Sequence, residues 1–142
     1  MNAASSLRVV RIVHAALTIG LIWVGVTFVL LLRVFGMDFG FGAGLAPIFA
    51  GLSAAILAIA LFFLRGRTPA RPMNQPPEDY WASNEVLAAA ITFWAALEGA
   101  GLVGWTGYLL TGSLLPAALG AVAILVLLVF RPSRIEGQGS SA

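Results

Sequence analysis

Glu98 is the residue of this 142-residue chain that most needs a chemical reason. It stands near the middle of an apolar run that extends from about Val86 to Leu110. A carboxylate at the centre of a bilayer costs at least about 2.5 kcal/mol, so such a group usually faces a bundle interior, a water-filled cavity or a partner. In helical register Trp94 and Ala95 lie one turn before it, Gly101 and Leu102 one turn after it, and Trp105 two turns after it. An indole N–H can donate to a carboxylate but never accept from it. Two chemistries fit this setting. Glu98 is either an ion- or proton-binding carboxyl, or a hydrogen-bonding group at a contact with another helix or another subunit. The spacing leaves both open.

The other reactive types are sparse. His14 is the single histidine. It is expected in the headgroup region beside Arg8 and Arg11, because a proton relay needs a chain of acids and histidines. Two axial ligands are usual for an electron-transfer haem; no second histidine exists, and Met37 falls on the opposite side from His14. With no cysteine, thiolate metal sites, disulfides and thiol nucleophiles are excluded. No metal site, cofactor or catalytic residue is expected, and an enzyme is not the reading. Arg65, Arg67 and Arg71 are candidates for anionic lipid headgroups.

The elements that position these residues follow from hydropathy. The chain is 60% hydrophobic and only 10% charged, whereas soluble domains carry about a quarter charged residues. Apolar stretches cover about 12–34, 44–64, 86–110 and 113–130. Each is near the ~20 residues that a helix needs to cross ~30 Å of hydrocarbon. Helix is the expected form, since an isolated strand leaves backbone groups unpaired in lipid. The first stretch is too long for a signal-peptide core and is expected to stay uncleaved. Glycines 36, 40, 42 and 44 loosen the first connection, and Thr111-Gly112-Ser113 makes the third a tight hairpin. The middle connection, 65–85, contains Pro69, Pro72, Pro76 and Pro77, and reads as a water-exposed loop. Pro77-Glu78-Asp79 can start a short interfacial helix there. The Gly/Ser-rich tail 132–142 is expected to be disordered.

The expected fold is therefore all-α: an integral membrane four-helix bundle forming a single transmembrane domain. Arg8, Arg11, Arg65, Arg67, Arg71, Arg131 and Arg134 share one side, and Arg33 alone falls on the other. The positive-inside rule places both termini in the cytoplasm. Arginine used without lysine, amid abundant Ala, Gly and Leu, fits a GC-rich bacterial genome and so an inner membrane. Arg33 can snorkel to the outer interface and pair with Asp38. Trp23, at mid-span, is expected to pack between helices.

Small residues supply the packing signal. Ala88, Thr92, Ala96, Ala100 and Gly104 recur every four positions, and Ala50, Ala54 and Ala58 form a similar row in the second span. Such rows let membrane helices approach closely, within the chain or between subunits. Expected partners are the bilayer and other membrane subunits or a second copy, with no nucleic acid. A weak internal repeat pairs Ala15-Ala16-Leu17-Thr18 with Ala95-Ala96-Leu97-Glu98, and Pro47 with Pro116.

The segment Phe93-Trp94-Ala95-Ala96-Leu97-Glu98-Gly99-Ala100-Gly101-Leu102-Val103-Gly104 resembles the carboxylate-bearing helix of the ring-forming c-type proteolipids of rotary ATPases. In that family a Glu or Asp sits mid-membrane among small residues, on a helix running outward from a polar cytoplasmic loop. The resemblance implies that Glu98 is the ion-carrying carboxyl and that Thr18 marks the one lost from the first repeat. It covers about one helix in four. The chain departs from the family in its Pro-rich 65–85 loop and in a second span where alanines follow Gly44 and Gly51. The expectation carried forward is a non-catalytic subunit of a larger membrane complex, with a proteolipid-like proton- or ion-binding subunit as the alternative.

Overall fold

The computed structural model describes residues 3–72 and 74–137. Six α-helices and no strand occur among them. Helix α1 spans Ala3–Arg33. After a 3₁₀ turn at Ala43–Leu45, α2 (Ala46–Ile59) runs on through one π-helical turn, Ala60–Leu64, and a 3₁₀ turn, Arg65–Arg67. The short α3 (Pro77–Ala82) precedes the long α4 (Asn84–Thr111), and α5 (Leu114–Val129) and α6 (Pro132–Gly137) complete the set.

Three segments are long and apolar enough to cross a membrane: Ser5–Arg33, Ala43–Arg67 and Asn84–Thr111. The fourth apolar helix, α5, has 16 residues. At 1.5 Å per residue it is about 24 Å long, less than the full hydrocarbon thickness. The outer surface is that of a membrane protein: Ile12, Ile48, Phe62 and Leu125 all project outward. An apolar surface this continuous needs lipid or protein against it. Trp23 belongs to this surface and is 66% exposed, so it does not pack between helices as its mid-span position led one to expect.

Local signals set the ends. Proline occupies the first turn of α2 and of α3, where a missing N–H is harmless. Gly112 adopts φ 65°, and its N–H closes α4 on the Tyr108 carbonyl at 2.8 Å. Ser113 then caps α5 by accepting from the Leu115 N–H. The tail begins differently from the sequence expectation. Pro132–Gly137 forms α6, with Pro132 and Ile135 buried, because apolar Ile135 reaches the core. Residues 138–142 of that tail lie outside the described residues.

Helix α4 is the hub, packing on α1, α2 and α5, while α1 and α2 scarcely touch. Its buried seam is Val86, Ala90, Phe93, Leu97, Ala100, Gly104 and Gly107, in alternating steps of four and three. That is the heptad spacing that keeps one face on a partner. The four-step row divides accordingly. Ala100 and Gly104 are buried, Ala96 is half-buried, and Ala88 and Thr92 are exposed. Four residues turn the helix about 400°, so such a row drifts about 40° per step and winds off the seam. The same drift exposes Ala54 and Ala58 on α2, whose buried face is Ala46, Ala50, Ser53 and Leu57. The two hairpins matched by the internal repeat also pack differently, since α4 and α5 are in intimate contact and α1 and α2 are not.

At Gly104 the backbones of α4 and α5 come close together. A Cβ there would lie 2.7 Å from the Gly120 N and 2.8 Å from the Pro116 carbonyl oxygen, both backbone atoms of α5. Gly99, one turn earlier, has open space where its Cβ would be. Gly104→Ala is therefore expected to destabilise the protein in detergent by about 1–3 kcal/mol through overpacking. Gly99→Ala should be neutral or slightly stabilising, since alanine is the better helix former. Equal denaturant midpoints for the two variants would contradict this assignment of the interface.

Candidate functional site

Glu98 sits on the flank of α4, half-buried, beside the edge that faces α1. Three residues define that edge: Trp94 against His14, Gly101 against Leu21, and Trp105 against Gly25. The opposite edge faces α2, where Ser53 Oγ donates to the Ala100 carbonyl at 2.8 Å and Gly107 meets Phe49. Because α1 and α2 do not close over it, the remaining face of α4 lies open between them. Ala88, Thr92, Ala95 and Leu102 are exposed along it. Glu98 stands at its border. No hydrogen bond or ion pair to its carboxylate forms among the described residues.

Neither flanking indole serves it. Trp94 Nε1 donates to the Phe130 carbonyl at 2.8 Å. Trp105 Nε1 is buried without a partner among the described residues, clasped between Gly25 and Gly120. No cluster of three or more His, Cys, Asp or Glu that could hold a metal exists among the described residues.

The polar chemistry gathers instead at the end of the bundle where α1 begins and α5 stops. The last carbonyls of a helix have no partner within it. Here two side chains from other helices supply donors: Trp94 to Phe130, and His14 Nε2 to the Leu127 carbonyl at 3.0 Å. A carbonyl can only accept, so His14 carries its proton on Nε2. His14 is accordingly buried among α1, α4 and α5, not set among headgroups beside Arg8 and Arg11 as expected. Nothing in local spacing pairs position 14 with position 127; only the assembled bundle brings them together.

The middle loop and α6 cover this end. His14, Trp94, Trp81 and Tyr80 form a chain of ring contacts with centroids 4.9, 6.1 and 5.1 Å apart. Trp81 Nε1 donates to Glu136 Oε1 at 2.8 Å, and Tyr80 O–H to the Pro69 carbonyl at 2.7 Å. Arg71 is committed within the cap, since its Nε donates to the Glu136 carbonyl and its Nη1 to the Gln75 carbonyl, each at 3.1 Å. Arg65 stacks 4.7 Å over the Phe130 ring, and Arg65 and Arg67 are both exposed. At the opposite end Arg33 and Asp38 do not pair as expected. Arg33 Nε donates to the Tyr108 hydroxyl at 3.3 Å, while Asp38 Oδ1 accepts from the Gly40 N–H at 2.9 Å. The tight turn at Gly40 presents a nearer donor to the carboxylate.

No protein-family model, curated protein or solved structure matches this chain.

Burial raises the Tyr80 phenol above its ordinary value of 10.0, and the Glu136 carboxylate adds to the rise against an opposing effect of Arg71. The neutral phenol is thus favoured in the folded cap. Its stabilising contribution is complete below pH 10 and is lost as pH rises through the raised value, because the unfolded chain releases the proton first. Cap stability, followed by near-ultraviolet circular dichroism, should fall above about pH 10 in the native protein and less steeply in Tyr80→Phe. Trp94→Phe leaves the Phe130 carbonyl without its donor and should cost about 1–3 kcal/mol in denaturant unfolding.

Proposed function

We propose that this protein is a small multi-pass membrane subunit that packs, without catalysing a reaction, within a larger membrane assembly. In this reading four helices cross a bacterial inner membrane and both termini lie in the cytoplasm. One observation carries it. Glu98 is half-buried at mid-helix, has no partner among the described residues, and borders an open α4 face of Ala88, Thr92, Ala95 and Leu102. An acid in hydrocarbon is costly without a donor, and small residues on an open helix face suit close approach by another membrane helix. A partner helix that brings a donor to Glu98 satisfies both.

The orientation rests on charge. The other seven arginines belong to the end carrying the cap, and Arg33, the last residue of α1, to the opposite end. Because the chain has no cysteine, single cysteines report topology directly. In intact cells a membrane-impermeant maleimide should label Phe39→Cys and spare Gln75→Cys until the membrane is opened. The reverse pattern would invert the proposed orientation.

The assembly is tested by extraction in mild detergent and native electrophoresis. The native chain should migrate in a complex larger than the 142-residue monomer. Ala95→Trp, at an exposed position, should release it from the complex while leaving its own thermal unfolding unchanged. A chain that runs alone from native membranes, with or without the substitution, would defeat the proposal.

The unpartnered carboxyl also supports a second reading, a proteolipid-like proton- or ion-binding subunit acting through Glu98. A carbodiimide that attacks protonated buried carboxyls should then label Glu98, with protection by the carried ion. Absence of labelling, together with an unchanged phenotype for Glu98→Gln, removes this reading.

A further inference from the structure

Away from the Glu98 face, α1 and α5 form a second unfilled surface. Both pack on α4 but contact each other sparingly, and an apolar trough runs between them. Its inner stretch, about 260 Å³, has Ile22, Val26, Val29 and Ile124 as walls and Trp105 as floor. Its outer stretch, about 460 Å³, continues along Ala118 and Ala121 to Tyr108 and Arg33. The floor is built into the sequence. Trp105 lies across it because Gly25 on α1 and Gly120 on α5 have no side chain; a Cβ would come within 2.6 Å of the indole at Gly25 and within 2.9 Å at Gly120.

The outer mouth of this trough carries a charge. Arg33 is the only arginine or lysine at this end of the bundle among the described residues. Its Nε donates to the Tyr108 hydroxyl, which tethers the guanidinium to the rim and leaves its two terminal nitrogens without partners among the described residues. Asp38 lines the neighbouring cleft, but its Oδ1 accepts from Gly40 and it makes no ion pair with Arg33. An apolar furrow ending at a tethered guanidinium matches a molecule with a hydrocarbon chain below and an anion above. Guanidinium binds phosphate through paired N–H donors. An acyl chain fills an irregular furrow more readily than a helix, whose diameter is about 10 Å.

We propose that this trough holds one glycerophospholipid, its phosphate on Arg33 and one acyl chain lying over Trp105 between α1 and α5. The site rests on the membrane placement proposed above and extends it to a specific ligand in the outer leaflet. It is separate from the cytoplasmic arginines considered for headgroups.

Native mass spectrometry of the full chain, extracted in detergent, stripped of lipid and titrated with phosphatidylglycerol or phosphatidylcholine, tests it. One phosphatidylglycerol should bind per chain, on the order of tenfold more tightly than phosphatidylcholine, whose choline cation repels the guanidinium that holds the phosphate. Arg33→Gln should abolish the headgroup preference. Ala121→Phe, which fills the trough from an exposed position, should weaken both lipids, and Arg8→Gln at the other end should change neither. Binding that is unsaturable, or that is the same in Arg33→Gln and Ala121→Phe as in the native chain, means ordinary annular lipid only and overturns the site. A chain that still needs detergent but binds no lipid in this way would defeat the site while leaving the membrane placement intact.

Discussion

The bundle depends on how closely the backbones of α4 and α5 approach at Gly104, Gly120 and Pro116. In a soluble bundle, burial of apolar area would draw the helices together. Between apolar helices in lipid that force is weak, and dispersion at short range takes its place. Dispersion falls off within an ångström or so of contact, so side chains must be absent where the helices meet. Gly104 against α5 and Gly107 against Phe49 of α2 meet this condition on one heptad seam. Gly101 does the same toward Leu21 of α1. One helix thereby holds three others, and α1 and α2 need not touch.

A consequence of that hub is the placement of polar groups. With α1 and α5 both held against α4, the start of α1 comes to lie beside the last carbonyls of α5. His14 and Trp94 donate to those carbonyls, and the cap of α3, α6 and the middle loop closes over them through Trp81, Glu136 and Arg71. An unpaired carbonyl would be costly wherever water is excluded. The aromatic residues at this end therefore do two things at once: their rings fill space, while His14, Trp94 and Tyr80 donate to backbone carbonyls and Trp81 donates to the Glu136 carboxylate.

The hub also leaves two open surfaces of different chemistry. Between α1 and α2, α4 shows small side chains bordered by an acid without a partner among the described residues. Between α1 and α5 the surface is a furrow floored by an indole and ending at a cation. The first is the surface proposed for a partner helix bearing a donor, and the second the one proposed for a phospholipid. Both arise because α4 is packed on three sides, yet α1 scarcely touches α2 and contacts α5 only sparingly.

Much of the architecture was legible from composition and punctuation. Long apolar runs, proline at helix starts and glycine at Gly112 specify helices and their limits, because these signals act within a few residues. Glu98 was legible for a similar reason, as one acid in an apolar run stands out whatever surrounds it. The packing face was not. Four-residue spacing and heptad spacing differ by a small angle per turn, and only contact with α5 selects the row ending in Gly104 over its exposed beginning at Ala88. His14, Arg33 and Trp23 were misjudged from position alone. Each has its surroundings set by residues far along the chain: Leu127 for His14, Tyr108 for Arg33, and for Trp23 the absence of a helix against that side of α1. Sequence by itself determined which segments are helical and apolar, since hydropathy and backbone propensity are local. Tertiary structure decided which polar atoms are satisfied and which surfaces stay open, since both depend on where separate helices meet.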